Sequence, residues 1–376
     1  MDFSFSEEQT LLRNSVQSFL RDKYDFDTRR KISASSEGWS QDLWRQFAEL
    51  GLLAAPFSEE MGGLGGTAIE TMIVMEEFGR NLVIEPFIET VVLAGGFLRQ
   101  GGSTAQQEAH IPGIIGGETV WTFAYAEPQG RYNLADLTTT AKADGEGYII
   151  NGYKCVVLAA PWADKLIVSV RTSGGQRDAD GVSLFIVDKN ADGVSTRDYP
   201  TVDGRRASEI TFENVRVGAD ALIGEAGKAL PLIELVTDQA IAALSAEAIG
   251  GMKELNDATV EYCKTRKQFG VPIGKFQVLQ HRMVDMFMAY EQSVSMTYMV
   301  ALKLDESDVE RCKAASGAKV QIGKAGRYVG QQAVQLHGGM GMTDELNVGH
   351  YFKRLTMIDT QFGNVDHHLS RYSNAA

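Results

Sequence analysis

Apolar positions along the chain change period twice, and the two changes divide it into helix, sheet and helix. Ser6-Glu7-Glu8-Gln9 has the form of a capping box, and Leu11, Leu12, Val16, Phe19 and Leu20 follow at helical spacing, which predicts an amphipathic helix at the start. Helical patterns over 41–53 and 68–82 flank Met61-Gly62-Gly63-Leu64-Gly65-Gly66, a glycine run that reads as a loop. Past about residue 117 the period shortens. Segments 141–151, 165–171, 182–187 and 209–217 are alternating and rich in β-branched residues, with Gly and Asp between them, and predict an antiparallel sheet. No helical segment of about ten residues joins them, which excludes repeated βαβ units and a Rossmann fold. From about Leu222 long helices return over 230–267, 277–304 and 309–336. The fold class is therefore α+β, with an N-terminal helical domain over 1–118, a middle antiparallel β domain over 119–221 and a C-terminal helical bundle over 222–376.

Composition narrows the function more than the fold. A chain of 376 residues needs two or three packed layers, and 44% apolar with 23% charged residues is ordinary for a globular protein. A formal charge of −13 argues against nucleic acid as the main partner. Cys155, Cys263 and Cys312 are odd in number, lie far apart and form no CxxC or Cys/His ligand spacing, so no metal site is expected and a reducing cytoplasm suits them. The first eight residues lack a basic and apolar leader, and no window reaches the roughly 18 apolar residues of a membrane span.

Four segments in fixed order then carry a resemblance. They are Gly51-Leu52-Leu53 with Glu59-Glu60-Met61-Gly62-Gly63-Leu64-Gly65; Glu213-Asn214-Val215-Arg216-Val217 with Leu222-Ile223-Gly224-Glu225-Ala226-Gly227; Arg266-Lys267-Gln268-Phe269-Gly270-Val271-Pro272-Ile273-Gly274-Lys275-Phe276-Gln277; and Gln335-Leu336-His337-Gly338-Gly339-Met340-Gly341. Together they span nearly the whole chain and resemble the acyl-CoA dehydrogenase family. The resemblance implies that family's fold, with a four-helix bundle at the C-terminus, and implies FAD as cofactor. By motif match, Arg266, Gln268, Phe269, Gln277, Gln335, Gly338 and Gly339 are its candidate contacts, given in the family to the FAD of the neighbouring subunit. The residue types suit a dinucleotide, since Arg offers a charge-assisted fork to pyrophosphate, an aromatic offers a face to adenine, and paired glycines let backbone N–H groups approach phosphate.

The sequence departs from the family at the chemistry. The family removes the α-proton of an acyl thioester with a Glu, commonly within Tyr-Glu-Gly, and the matching stretch Thr360-Gln361-Phe362-Gly363-Asn364 places Phe362 at that position. The alternative base position, ahead of the Arg-x-x-Phe motif, falls at Ala240. No catalytic residue is thus assigned; Asp238, Glu247, Asp359 and Asp366 are the carboxylates from which a displaced base would be drawn. The segments that hold the flavin ring in the family correspond to Ala126-Glu127-Pro128-Gln129-Gly130-Arg131 and Val156-Val157-Leu158, where the hydroxyls and the tryptophan are gone. Trp162, Tyr125 and Tyr132 are the nearby aromatics. His367 and His368, adjacent on a helix, point about 100° apart and suit surface or partner contact better than chelation.

Losses fall on contacts to a subunit's own flavin ring, while contacts given to a neighbour are kept. The resemblance therefore implies one member of a heteromeric acyl-CoA dehydrogenase, a heterotetramer in its paired form, similar to small subunits such as that of pimeloyl-CoA dehydrogenase. A homologous subunit with the catalytic Glu, an acyl-CoA substrate and electron-transferring flavoprotein are the implied partners. A homomeric enzyme with a displaced carboxylate and a non-enzymatic protein reusing the fold are the alternatives.

Overall fold

The computed structural model describes residues 5–375. In chain order it contains α1 (Glu7–Lys23), α2 (Phe26–Ala34), α3 (Gln41–Glu49), α4 (Ala68–Asn81), a π-helical turn (Ile88–Ala94) running into α5 (Gly95–Gly101), and α6 (Thr104–Ile115). Strands follow as β1 (Trp121–Ala124), β2 (Thr140–Asp144), β3 (Gly147–Leu158), β4 (Lys165–Arg171), β5 (Val182–Asp188), β6 (Val194–Pro200), β7 (Arg206–Gly218) and β8 (Leu222–Ile223). The chain closes with α7 (Leu230–Thr265), the short strands β9 (Lys267–Gln268) and β10 (Val271–Pro272), α8 (Gln277–Lys303), α9 (Asp308–His337), α10 (Asn347–Thr360) and α11 (Val365–Asn374). The expected order of helix, sheet and helix is the one observed. Ser6 and Gln9 form the reciprocal capping box that opens α1, each side chain bonded to the other's backbone N–H at 3.1 Å.

The described residues form two compact units, one within 1–31, 68–83 and 241–376, the other within 32–67 and 84–240. In the first, α9 runs through the middle and is covered by α8, α10 and α11. Small residues set these approaches: a Cβ on Gly330 would lie 2.6 Å from the Phe352 ring. Where α4 and α7 cross, a Cβ on Gly79 would lie 1.9 Å from the Glu247 carbonyl oxygen, and one on Gly250 2.0 Å from that of Glu76. Only glycine on both helices allows the backbones to touch there, and the crossing holds Glu247 away from water.

The second unit is built on the sheet, ordered β6-β7-β3-β2-β4-β5-β8. Its ladders are antiparallel except at β4, which pairs in parallel with β1 over four residue pairs and with β2 at Thr140 and Arg171. Every residue of β1 is buried, so it shows no alternation by which the sequence would announce it. Among the described residues no helix is long and apolar enough to cross a membrane.

Candidate functional site

All seven candidate cofactor residues lie in the first unit, on two chain segments that follow long helices. After the last turn of α7 the Arg266 N–H bonds the Tyr262 carbonyl at 2.8 Å, and the chain turns into the β9–β10 hairpin with Gln268 opposite Val271. Its two turn residues, Phe269 and Gly270, both have positive φ, +52° and +81°, as a type I′ turn requires. A phenylalanine in that conformation is strained, and Phe269 is also 92% exposed. Neither local preference nor burial explains an aromatic there. Arg266, Gln268 and Gln277 are exposed beside it.

The second segment closes α9. Gln335 is exposed in its last turn, and Gly338 caps it at φ +61°, ψ −141°, a conformation open in practice only to glycine. Cβ atoms built on Gly338 and Gly339 would meet nothing within 4 Å, so both glycines present bare backbone to open space. An exposed guanidinium, an exposed ring and an uncovered glycine pair are the features a dinucleotide's pyrophosphate and adenine need, and these residues fit FAD.

The segments matched to ring contacts lie in the second unit and form a tight network of their own. Glu127 is buried; Lys154 donates to it at 2.8 Å, Thr138 through N–H and Oγ1 at 2.7 and 2.5 Å, Thr139 N–H at 3.2 Å and Gln129 at 2.9 Å. Burial opposes the charged carboxylate, but the Lys154 ammonium and these bonds overcome it and hold Glu127 down to about 2. Burial draws Lys154 down to about 8 against the pull of Glu127, so both are charged at neutral pH. The pair ties the Ala126 segment to β3.

Beside Lys154, β3 bulges: Cys155 and Val156 together face Glu209 of β7. Val156 adopts φ +50°, an outlier for a β-branched side chain, and is 47% exposed. Glu209 holds the bulge by accepting from the Val156 N–H, from Tyr153 and, at 2.8 Å, from Tyr199. Ala126, Val156 and Leu158 bring no hydroxyl to this surface. Trp162 is committed to packing: it stacks on Trp39 with ring centroids 5.6 Å apart and donates to the Glu37 carbonyl at 2.7 Å. Tyr125 stacks on Phe123, and Tyr132 is half-buried.

At the base positions Phe362 is buried at φ +55° and Ala240 is wholly buried. The turn carrying Phe362 is pinned by the buried Lys319, which donates to the Asp359 and Gly363 carbonyls at 3.0 and 2.6 Å, and by His368, which donates from Nε2 to the Phe362 carbonyl at 3.1 Å. Of the four carboxylates, Glu247 is buried and held by two nitrogens of the Arg354 guanidinium. Asp359 is paired with Arg327 at 2.9 Å, Asp238 is fully buried, and Asp366 is exposed in the first turn of α11.

The expectation of surface contact fails for His368. It is 1% exposed, and burial, with the Lys319 cation next in weight, pushes it down to about 2. His367 is half-buried, with its ring at 88° to that of His368. No cluster of three or more His, Cys, Asp or Glu suited to a metal ion occurs among the described residues.

Models of the acyl-CoA dehydrogenase N-terminal, middle and C-terminal domains match residues 6–118, 122–215 and 237–372 in order. The chain belongs to the acyl-CoA dehydrogenase family. It is 30% identical over 353 residues to the probable acyl-CoA dehydrogenase YngJ of Bacillus subtilis (strain 168), covering 93% of this chain and 92% of that one. Among solved structures of the family fold, a variant of the Tcur3481-Tcur3483 steroid ACAD superposes with TM-score 0.88 at 28% identity, covering 98% and 97% of the two chains. PigA with FAD and proline superposes with TM-score 0.92 at 26% identity, covering 99% and 98%.

Proposed function

We propose that this chain is the non-basic subunit of a heteromeric acyl-CoA dehydrogenase, which oxidises an acyl-CoA thioester to a trans-2-enoyl-CoA. The observation that carries the reading is an asymmetry. The surface that would serve a neighbour's cofactor is kept whole, from Arg266 to Gln277 and from Gln335 to Gly339, whereas Phe362 and Ala240 stand where a base is needed. Removing an α-proton takes a base, a Glu in the family, and here Glu247 and Asp359 are engaged by Arg354 and Arg327. The partner is a homologous chain that carries the catalytic Glu, and electron-transferring flavoprotein is the acceptor.

FAD, when bound, accepts the substrate's β-hydrogen as hydride. The work of this chain would be recognition: Arg266 would hold phosphate oxygens, Phe269 would offer a face to the adenine, and the bare backbone of Gly338 and Gly339 would admit the pyrophosphate. The paired name of the steroid relative and the FAD of the PigA structure support the reading by analogy.

Purification of the chain alone is expected to give little bound flavin and no acyl-CoA turnover, and co-expression with a homologue bearing the Glu is expected to give a yellow, active complex. Full flavin occupancy with turnover by the lone chain would overturn the reading. In that event Asp238→Asn, Glu247→Gln, Asp359→Asn and Asp366→Asn identify a displaced base.

A further inference from the structure

The two segments of the candidate cofactor surface are joined by one ring contact. Tyr262, one turn ahead of Arg266, stacks on His337, which immediately precedes Gly338; the ring centroids are 4.4 Å apart and the planes 30° from parallel. Both residues lie in the same unit. His337 is itself held in place. It is 4% exposed, its Nδ1–H donates to the Ala333 carbonyl at 2.8 Å, and burial lowers its pKa, so the ring is neutral at pH 7. On its other side the chain folds back as a 3-10 turn, where a Cβ on Gly341 would lie 3.2 Å from the His337 Cβ and 2.8 Å from the Val334 carbonyl oxygen.

We infer that the Tyr262–His337 stack is a positioning pair, which sets the separation between the arginine-bearing end of α7 and the glycine-bearing end of α9. The inference rests on the cofactor reading above. Neither Tyr262 nor His337 is among the seven candidate contacts; they act through the backbone, since the Arg266 N–H is bonded to the Tyr262 carbonyl and Gly338 follows His337 directly. Two anion-binding elements on separate helices grip one pyrophosphate only when their spacing is held before the ligand arrives, and a stacked aromatic pair holds it at small entropic cost.

FAD titration of the full chain in its purified assembly, read by flavin fluorescence, tests this with circular dichroism as the control for folding. His337→Ala is expected to weaken binding by about tenfold or more, His337→Phe to keep affinity within about threefold because it keeps the stack, and Tyr262→Leu to match His337→Ala. The double variant of His337→Ala with Tyr262→Leu is expected to bind no more weakly than either alone. Unchanged affinity in His337→Ala, or equal loss in His337→Phe and His337→Ala, overturns the inference. Should His337→Ala fail to fold, His337→Phe and Tyr262→Leu decide. Unchanged affinity in Arg266→Ala sinks the cofactor reading instead, whatever the stacking variants do.

Discussion

Arg354 grips both carboxylate oxygens of Glu247, Nε to Oε1 at 2.6 Å and Nη2 to Oε2 at 2.7 Å, across 107 residues of sequence. The side chains are 6% and 2% exposed, so neither charge has water to fall back on. Removing one partner strands the other: Glu247→Ala is expected to lower stability by about 3–5 kcal/mol, and pairing Glu247→Leu with Arg354→Met is expected to recover most of it. Urea unfolding of both variants beside the parent chain measures this. A loss below about 1 kcal/mol in Glu247→Ala would show that the pair does not hold α7 to α10.

Phe269 is expected to trade stability for binding. Glycine relieves the left-handed strain and gives up no buried surface, so Phe269→Gly should stabilise the chain by about 1 kcal/mol. The same change removes the exposed ring and should weaken FAD binding. Denaturation midpoints and flavin titration on one preparation separate the two effects.

Gly338 and Gly339 are expected to respond differently to alanine. At Gly338 the backbone conformation itself resists a side chain, and Gly338→Ala should cost about 1–3 kcal/mol of stability. Gly339 has negative φ and open space around its Cβ direction, so Gly339→Ala should leave melting unchanged. Any loss of FAD affinity in Gly339→Ala then reports the ligand's approach and nothing else.

Acid should unfold the protein through His368. Its ordinary value is 6.5 and its folded value about 2, so between those limits the unfolded chain holds a proton that the folded chain does not. The stabilisation is complete above pH 6.5 and is lost as pH falls below it, at about 1.4 kcal/mol per pH unit. Glu127 adds a second loss between pH 4.5 and about 2, where its folded carboxylate stays charged and the unfolded one is protonated. His368→Gln should flatten the stability profile over the first pH unit or so below 6.5; an unchanged slope there assigns the acid sensitivity to other groups.

The order of elements is legible in the sequence because it rests on local periodicity. The 277–304 expectation for α8 and the Ser6 capping box lie within a residue of what is observed, both being decided by neighbours in sequence. β1 is hidden because four consecutive buried residues show no alternation, and β6, exposed along most of its length, shows little apolar signal. The β9–β10 hairpin is masked by its own chemistry, since Phe-Gly is not a turn pair that propensity favours. The Glu127–Lys154 and Glu247–Arg354 pairs depend on which elements meet in space. His368 departs from expectation because two adjacent polar residues on a short helix look solvated until the Lys319 turn is built against them. The Tyr262–His337 stack leaves only a faint trace, an aromatic four residues before one motif and a ring inside the other.

The bulge at Cys155 and Val156 resets the side-to-side rhythm of β3. Ile150 and Lys154 are buried at even positions, whereas beyond the bulge the buried residue is Val157. Pairing Cys155 and Val156 one after the other, without the bulge, would therefore exchange the two faces of the strand's end, turning Val157 outward and Leu158 into the core. The constraint at this point falls on the extra residue being left out of the ladder rather than on a particular side chain.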